Sequence, residues 1–255
     1  MAGMSTWHEL ERELDAWGAV GRPATLWWRD DDAEQPGPAL ERLLALLGDE
    51  VPLCLAVVPA RADETLAARL ATSSVGVAVH GYDHQNRAAQ GKKSEFPEDR
   101  DPAASKVDIE RGRARLEKMF GARLLPLFVP PWNRLADALV PALPELGFRG
   151  LSRFAPRRRG QTVADLVEIN THVDPIAWHQ GGGFVGQGPA LQALVGHLRA
   201  RRSGHVDPGE PTGLLSHHAR HDEELWEFFE DLKRALCSHP AAHWLSPADA
   251  FSLRP

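Results

Sequence analysis

The stretch ATLWWRDDDAE, residues 24–34, decides how this chain is read. Its first six residues, ATLWWR, have the aliphatic and aromatic character of a strand, and that strand runs directly into three adjacent aspartates. Like charges a few ångströms apart resist ionising together unless solvent screens them or a cation sits close by. A short acidic run is ordinarily a solvated face. Whether these aspartates form one depends on what the rest of the chain brings to them.

Working outward, Leu40, Leu43, Leu44 and Leu47 recur at helical spacing and Gly48 stands where a C-terminal cap belongs. VPLCLAVVP is an unbroken apolar run of strand length, as expected of a strand buried on both faces. ADETLAARLA reads as a short helix and VGVAVH, ending at His80, as another buried strand. The polar segment Gly81 to Ala104 has no periodicity and reads as a long loop that is either disordered or has a task. Ser105 and Asp108 resemble a capping box for the helix carrying Ile109, Leu116, Met119 and Phe120. LLPLFVP is a fourth strand. A helix through Ala138, Leu139, Ala142 and Leu143 is expected next, then weaker strands in FRGLS and DLVEINT. A helix over about 190–201, the strand GLLSHH and a helix through Trp226 to Leu236 complete the pattern. Regular strand–helix alternation implies an α/β fold with a parallel sheet or barrel, in which chemistry gathers where strands end.

The composition bounds the function. A net charge of −6 opposes a general nucleic-acid binder, and the basic run RFAPRRRG at 153–160 reads as a solvated loop. The two cysteines, Cys54 and Cys237, have no metal-site spacing. No apolar run has the length of a membrane span. The opening MAGMSTWHELERELDAW has no signal-type apolar core, so a helix within residues 1–22, packed on a single barrel domain of residues 23–255, and a cytoplasmic location are expected.

Five strand ends carry polar clusters: the acidic triplet, HGYDH, PPWN, THVDPIAW and SHHARHD. In HGYDH, His80 and His84 stand one turn apart, and two imidazoles so spaced, with a carboxylate from a neighbouring strand, make a set with open positions for water and substrate. The order and spacing of RDDDA, HGYDH, FVPPWN, the Asp174–Trp178 pair and LLSHH resemble the polysaccharide deacetylase family (carbohydrate esterase family 4, the NodB homology domain), over most of the chain from about Thr25.

The resemblance implies a distorted (β/α) barrel of about seven parallel strands that removes N-acetyl groups from sugars with one divalent metal ion. Aligning the family's small residue with Ala33 makes Asp31 the catalytic base and Asp32 a metal ligand, with His80 and His84 as the other ligands. The alternative register has Asp30 as base and Asp31 as ligand. Gly81 replaces the family's Ser or Thr, and Val129 replaces its arginine before Pro130, Pro131 and Trp132. Arg29, beside the triplet, is the candidate replacement for that arginine. Trp132, at the turn with Pro131, would offer a backbone N–H to the oxyanion. His217 would be the general acid oriented by Asp174, with His218 as its alternative. Zinc suits the ligand set first, and cobalt, nickel or iron would also fit. The implied substrate is an N-acetylated sugar, as a small molecule or oligosaccharide. The alternatives are another linear amide, or a non-catalytic metal-dependent carbohydrate-binding barrel. Oligomeric state is left open.

Overall fold

The computed structural model describes residues 6–158 and 163–253, so Met1–Ser5 of the expected first helix and part of the 153–160 basic run lie outside the described residues. Eight strands enter one sheet: β1 (Ala24–Ala33), β2 (Leu53–Val57), β3 (Gly76–His80), β4 (Leu124–Val129), β5 (Gly150–Leu151), β6 (Val167–Glu168), β7 (Thr212–Ser216) and β8 (Ala242–Trp244). Seven of them form a parallel path, β6-β5-β4-β3-β2-β1-β7, and β8 adds to the opening residues of β1. The path is a half-barrel whose edges meet beyond β6. There Val173 bridges Leu214, the His172 N–H donates to the Gly213 carbonyl (2.7 Å) and the Leu215 N–H to the Val173 carbonyl (2.8 Å). Only glycine fits at 213, because a Cβ there would stand 2.5 Å from the Trp27 indole nitrogen and 2.6 Å from the Asn170 carbonyl oxygen. The α/β architecture is thus the distorted barrel expected.

Side-chain alternation divides the sheet into two faces. Inside the barrel, Trp27, Cys54, Ala56, Ala78, Leu127 and Val129 form a small core of narrow residues around one tryptophan. Outside, Trp28, Leu53, Leu55, Val57, Val77, Val79 and Phe128 pack beneath the helices α1 (Trp7–Ala19), α2 (Pro38–Leu47), α3 (Glu64–Leu70), α4 (Pro102–Phe120), α5 (Gln187–Arg202) and α6 (Glu223–Ser238), with the short α7 (Pro247–Ala250) closing the chain. Trp28 shows how tightly this layer is specified. Its indole N–H donates to the Ser216 hydroxyl (2.8 Å) and its ring packs on Phe229 and Trp244. Truncating such a side chain costs about 3–5 kcal/mol.

Several local expectations change. Asp101, not Ser105, caps α4; Ser105 lies inside the helix, with its hydroxyl on the Asp101 carbonyl (3.1 Å). The helix expected after Asn133 is a 3-10 segment, Asp137–Ala142, with Pro141 inside it, whose ring would clash with the Asp137 carbonyl of an α-helix. In the basic run, Arg153 and Arg157 are paired with Glu168 and Asp207. The long loop is ordered: Phe96 is fully buried, its carbonyl accepts the Ala136 N–H (2.9 Å), and the Arg134 guanidinium reaches the Lys93 carbonyl (2.8 Å). No helix among the described residues is long and apolar enough to cross a membrane.

Candidate active site

The end of β1 sends four consecutive residues in three directions. Arg29 and Asp31, both inward, form a two-pronged ion pair: Nε to Oδ1 at 2.8 Å and Nη2 to Oδ2 at 2.9 Å. The same guanidinium donates to the Ser152 hydroxyl and the Asn133 amide oxygen, each at 2.6 Å, so a fully buried charge is satisfied on all sides. Asp30 points the other way, under the helices. It accepts from the Ser216 hydroxyl (2.6 Å) and the His218 backbone N–H (2.9 Å), and pairs with His218 Nδ1 at 2.5 Å. Burial opposes its charge, yet His218 holds its carboxyl below the usual range. Burial likewise disfavours the imidazolium of His218, and the Asp30 carboxylate outweighs that and raises its pKa.

Asp32 breaks the alternation. The β1–β2 register shifts between Asp30 and Ala33, and Asp32 has φ +66°, a left-handed conformation costing on the order of 1–2 kcal/mol outside glycine. This turns its carboxylate into the barrel mouth, where Oδ1 lies 3.1 Å from His80 Nε2 and 3.1 Å from His84 Nε2. Atoms sharing a cation at about 2.0–2.1 Å lie about 2.9–3.4 Å apart, as both of these contacts do, and the three ligand atoms all lie within 4.8 Å of one another. The proton on His80 sharpens the point. His80 Nδ1 sits 3.0 Å from the Val129 carbonyl oxygen, an acceptor that places the ring proton on Nδ1. Nε2 then presents a lone pair to a carboxylate oxygen, an arrangement that asks for a proton or a metal ion between them. Burial pushes the His80 pKa down, but the carboxylates of Asp31 and Asp32 raise it overall; burial also opposes the Asp32 charge, and the two imidazoles hold its carboxyl far below the usual range.

His84 arrives on the turn after β3, also left-handed at φ +56°, with its ring 4.3 Å from that of Trp132. The turn is built around a residue that the sequence did not single out. Glu95, fully buried, accepts the backbone N–H groups of Tyr82 (3.0 Å), Asp83 (3.1 Å) and His84 (3.1 Å). Burial pushes its carboxyl up to about 7, against the pull of those N–H groups. A Cβ at Gly81 would stand 2.3 Å from Glu95 Oε2 and 2.6 Å from Pro131 Cδ. The only cue in the sequence was the glycine that makes room for this carboxylate.

Across the mouth, Asp174 accepts from the Trp178 indole N–H (2.7 Å) and the Ile176 N–H (3.2 Å). Burial raises its pKa, with His217 and these donors opposing. Trp178 stands edge-on to His217, ring centroids 4.8 Å apart, while His217 Nδ1 is buried without a hydrogen-bond partner. Asp174 therefore reaches His217 through Trp178 and by its charge rather than by a direct hydrogen bond. Trp132, also left-handed at φ +55°, and Pro131 line the turn against His84 and Gly81. Asp32, His84, His217 and His218 open onto a cleft of about 470 Å³, walled further by Gln35, Arg61 and Arg220. That is the size of small-molecule sites.

A second histidine cluster lies away from this mouth. His172, His197 and Glu210, all buried, have potential ligand atoms within 4.8 Å of one another. Their geometry does not suit a metal. The two imidazoles stack face to face, 3.5 Å apart and 16° from parallel, so their in-plane lone pairs run side by side instead of converging. His172 Nδ1 accepts the Gly213 N–H (2.9 Å), which puts its proton on Nε2, the atom facing Glu210.

No family model and no curated protein matches the chain. Solved structures do. A protein from Mycobacterium smegmatis assigned to the polysaccharide deacetylases superposes with a TM-score of 0.63 at 18% identity, over 89% of this chain and 87% of that one. A family 4 acetyl xylan esterase from Clostridium thermocellum, in complex with cobalt, gives 0.53 at 16% identity, over 90% and 91%. A mutant of a family 4 pseudoenzyme with restored activity gives 0.55 at 13% identity, over 90% and 68%. The fold is therefore that of the carbohydrate esterase family 4 barrel, matched along most of the chain.

Proposed function

We propose that the protein is a metal-dependent hydrolase that removes an acetyl group from the nitrogen of an N-acetylated sugar. The observation that carries the reading is the Asp32 carboxylate set 3.1 Å from both His80 Nε2 and His84 Nε2, beside an aspartate gripped by a buried arginine. Asp32, His80 and His84 would hold one divalent ion, zinc first among the candidates. Such an ion, when bound, polarises an acyl oxygen and makes water acidic.

The chain's own groups supply the rest. Asp31 takes a proton from water at a carboxylate oxygen. The Arg29 fork fixes both oxygens and leaves each a second lone pair for that purpose. Arg29 thereby fills the place of the arginine that Val129 displaces. The Trp132 N–H donates to the developing oxyanion. His217 gives a proton through Nε2 to the departing amine, with its ring held edge-on to Trp178, which Asp174 in turn holds by a hydrogen bond. Asp30 and His218 are occupied with each other, which supports the register with Asp31 as base and Asp32 as ligand. The cleft admits a sugar edge or a compact amide.

The test is acetate release from a panel of N-acetylated sugars by protein stripped of metal and then reloaded. Hydrolysis of other amides with none of the sugars would move the substrate to a different linear amide. The unpartnered Nδ1 of His217 favours a second reading, a carbohydrate-binding barrel that holds metal without hydrolysis. Metal binding with no hydrolysis of any amide would establish it.

A further inference from the structure

The turn that carries His84 is held by a carboxylate from a distant loop, and the geometry points to Glu95 as the positioning residue for the metal set. This rests on the metal reading above and deepens it. Residues 81–84 connect the buried β3 to a left-handed His84, a conformation that a non-glycine residue keeps only where its surroundings impose it. What imposes it is specific. One Glu95 oxygen accepts the N–H groups of Tyr82 and Asp83 and the other accepts that of His84, so three successive backbone donors converge on one side chain. A concave run of N–H groups of this kind is a cradle for acceptor oxygens, and here both oxygens belong to the chain itself.

The surrounding residues lock the cradle in place. Gly81 has φ +60°, and any Cβ there would collide with both Glu95 and Pro131. Asp83 forms a two-pronged pair with Arg87 at 2.7 Å, and Arg87 in turn lies 3.6 Å from Glu95 and 3.7 Å from Asp108 of α4. Beside Glu95 in sequence, Phe96 is buried in the outer core against Phe128. Glu95 does not touch the ligand atoms. It sets where the His84 backbone sits, and through that where Nε2 meets Asp32, as outer groups orient ligands at metal sites.

The experiment compares the full-length parent with Glu95→Gln and Phe96→Leu. Glutamine keeps the volume but has one acceptor oxygen for three N–H groups. Phe96→Leu loosens the same segment while leaving all three acceptors. Affinity for cobalt(II) is read by chelator competition, the visible spectrum of bound cobalt reports ligand geometry, and melting of the metal-free protein reports the fold. Glu95→Gln is expected to bind cobalt roughly 10–100-fold more weakly, with an altered spectrum. Phe96→Leu is expected to lower the melting temperature while keeping the parent's affinity and spectrum. Equal affinity and an unchanged spectrum in Glu95→Gln would overturn the inference and leave the metal reading standing. So would an equal loss of affinity in Phe96→Leu, because loosening of the segment would then suffice. A parent that binds no cobalt would remove the metal reading and this inference with it.

Discussion

Two clusters of two histidines and one carboxylate stand in this barrel, and they are wired in opposite senses. At the mouth, His80 gives its Nδ1 proton to a carbonyl and turns a bare Nε2 toward Asp32. Between β7 and α5, His172 spends its Nδ1 lone pair on a backbone N–H, and its neighbour His197 lies flat against it. Residue types alone do not make a metal site; the partner of the second ring nitrogen decides which one can be. The mouth cluster also stores backbone strain at Asp32 and His84, whereas His172, His197 and Glu210 all have negative φ.

The comparison breaks most clearly at the ligands. Asp32→Ala and His80→Ala should each lose more metal affinity than the roughly 10–100-fold expected for an outer partner, with hydrolysis lost alongside, while His197→Leu should keep one equivalent of metal. Retention of metal by Asp32→Ala, measured by elemental analysis, would exchange the roles of the two clusters. Next in size is Arg29→Met, which leaves the buried Asp31 charge unpaired. Denaturant unfolding should show a loss of about 3–5 kcal/mol, and activity should fall with it. A smaller effect comes from ligand linkage: metal at 100 times its Kd should raise unfolding stability by about 2.7 kcal/mol. The increment should be the same in His197→Leu and absent in His84→Ala.

The effect at the inner cluster is read as a slope and has a definite sign. Burial, with the repulsion a second imidazolium at His172 and the Arg201 guanidinium would exert, pushes His197 down to about 2, and burial also lowers His172. The unfolded chain, with histidines near about 6.5, therefore binds protons that the folded chain refuses. Stability contributed by keeping these rings neutral is complete above about pH 6.5 and falls as the pH drops below it, by at most about 1.4 kcal/mol per pH unit for each ring. The stability–pH slope between pH 4 and 6 should be shallower in His197→Leu than in the parent. An identical slope would show that the pair does not govern acid sensitivity.

Much of this was legible in the sequence. The alternation of apolar runs and helical stripes gave the parallel barrel, and the mouth residues Asp32, His80 and His84 stood at strand ends where such folds place chemistry. Strand periodicity also carries the separation of Asp30 from Arg29 and Asp31, since neighbours on a strand face opposite ways. What remained hidden lacks a local signal. β8 is three residues, too short for any pattern, and β5 and β6, two residues each, left only the weak strand signals of FRGLS and DLVEINT. Glu95 lies in a polar loop, and nothing in its neighbours announces full burial. The bond from Asp174 to Trp178 in place of His217 depends on how the 174–178 turn closes, which spacing does not encode.

The wiring of β1 also orders events in time. Arg29 and Asp31 are two residues apart and are synthesised together, but the hydrogen-bond partners of Asp30 lie 186 and 188 residues downstream. A nascent chain that has not yet exposed Ser216 and His218 carries an aspartate whose buried berth does not exist, on a strand whose β7 neighbour is also missing. Closure of the barrel and the pairing of that charge with His218 are therefore expected together, once residues 216–218 are available. Chains truncated before residue 216 are expected to be clients of chaperones and proteases rather than small folded versions of the protein.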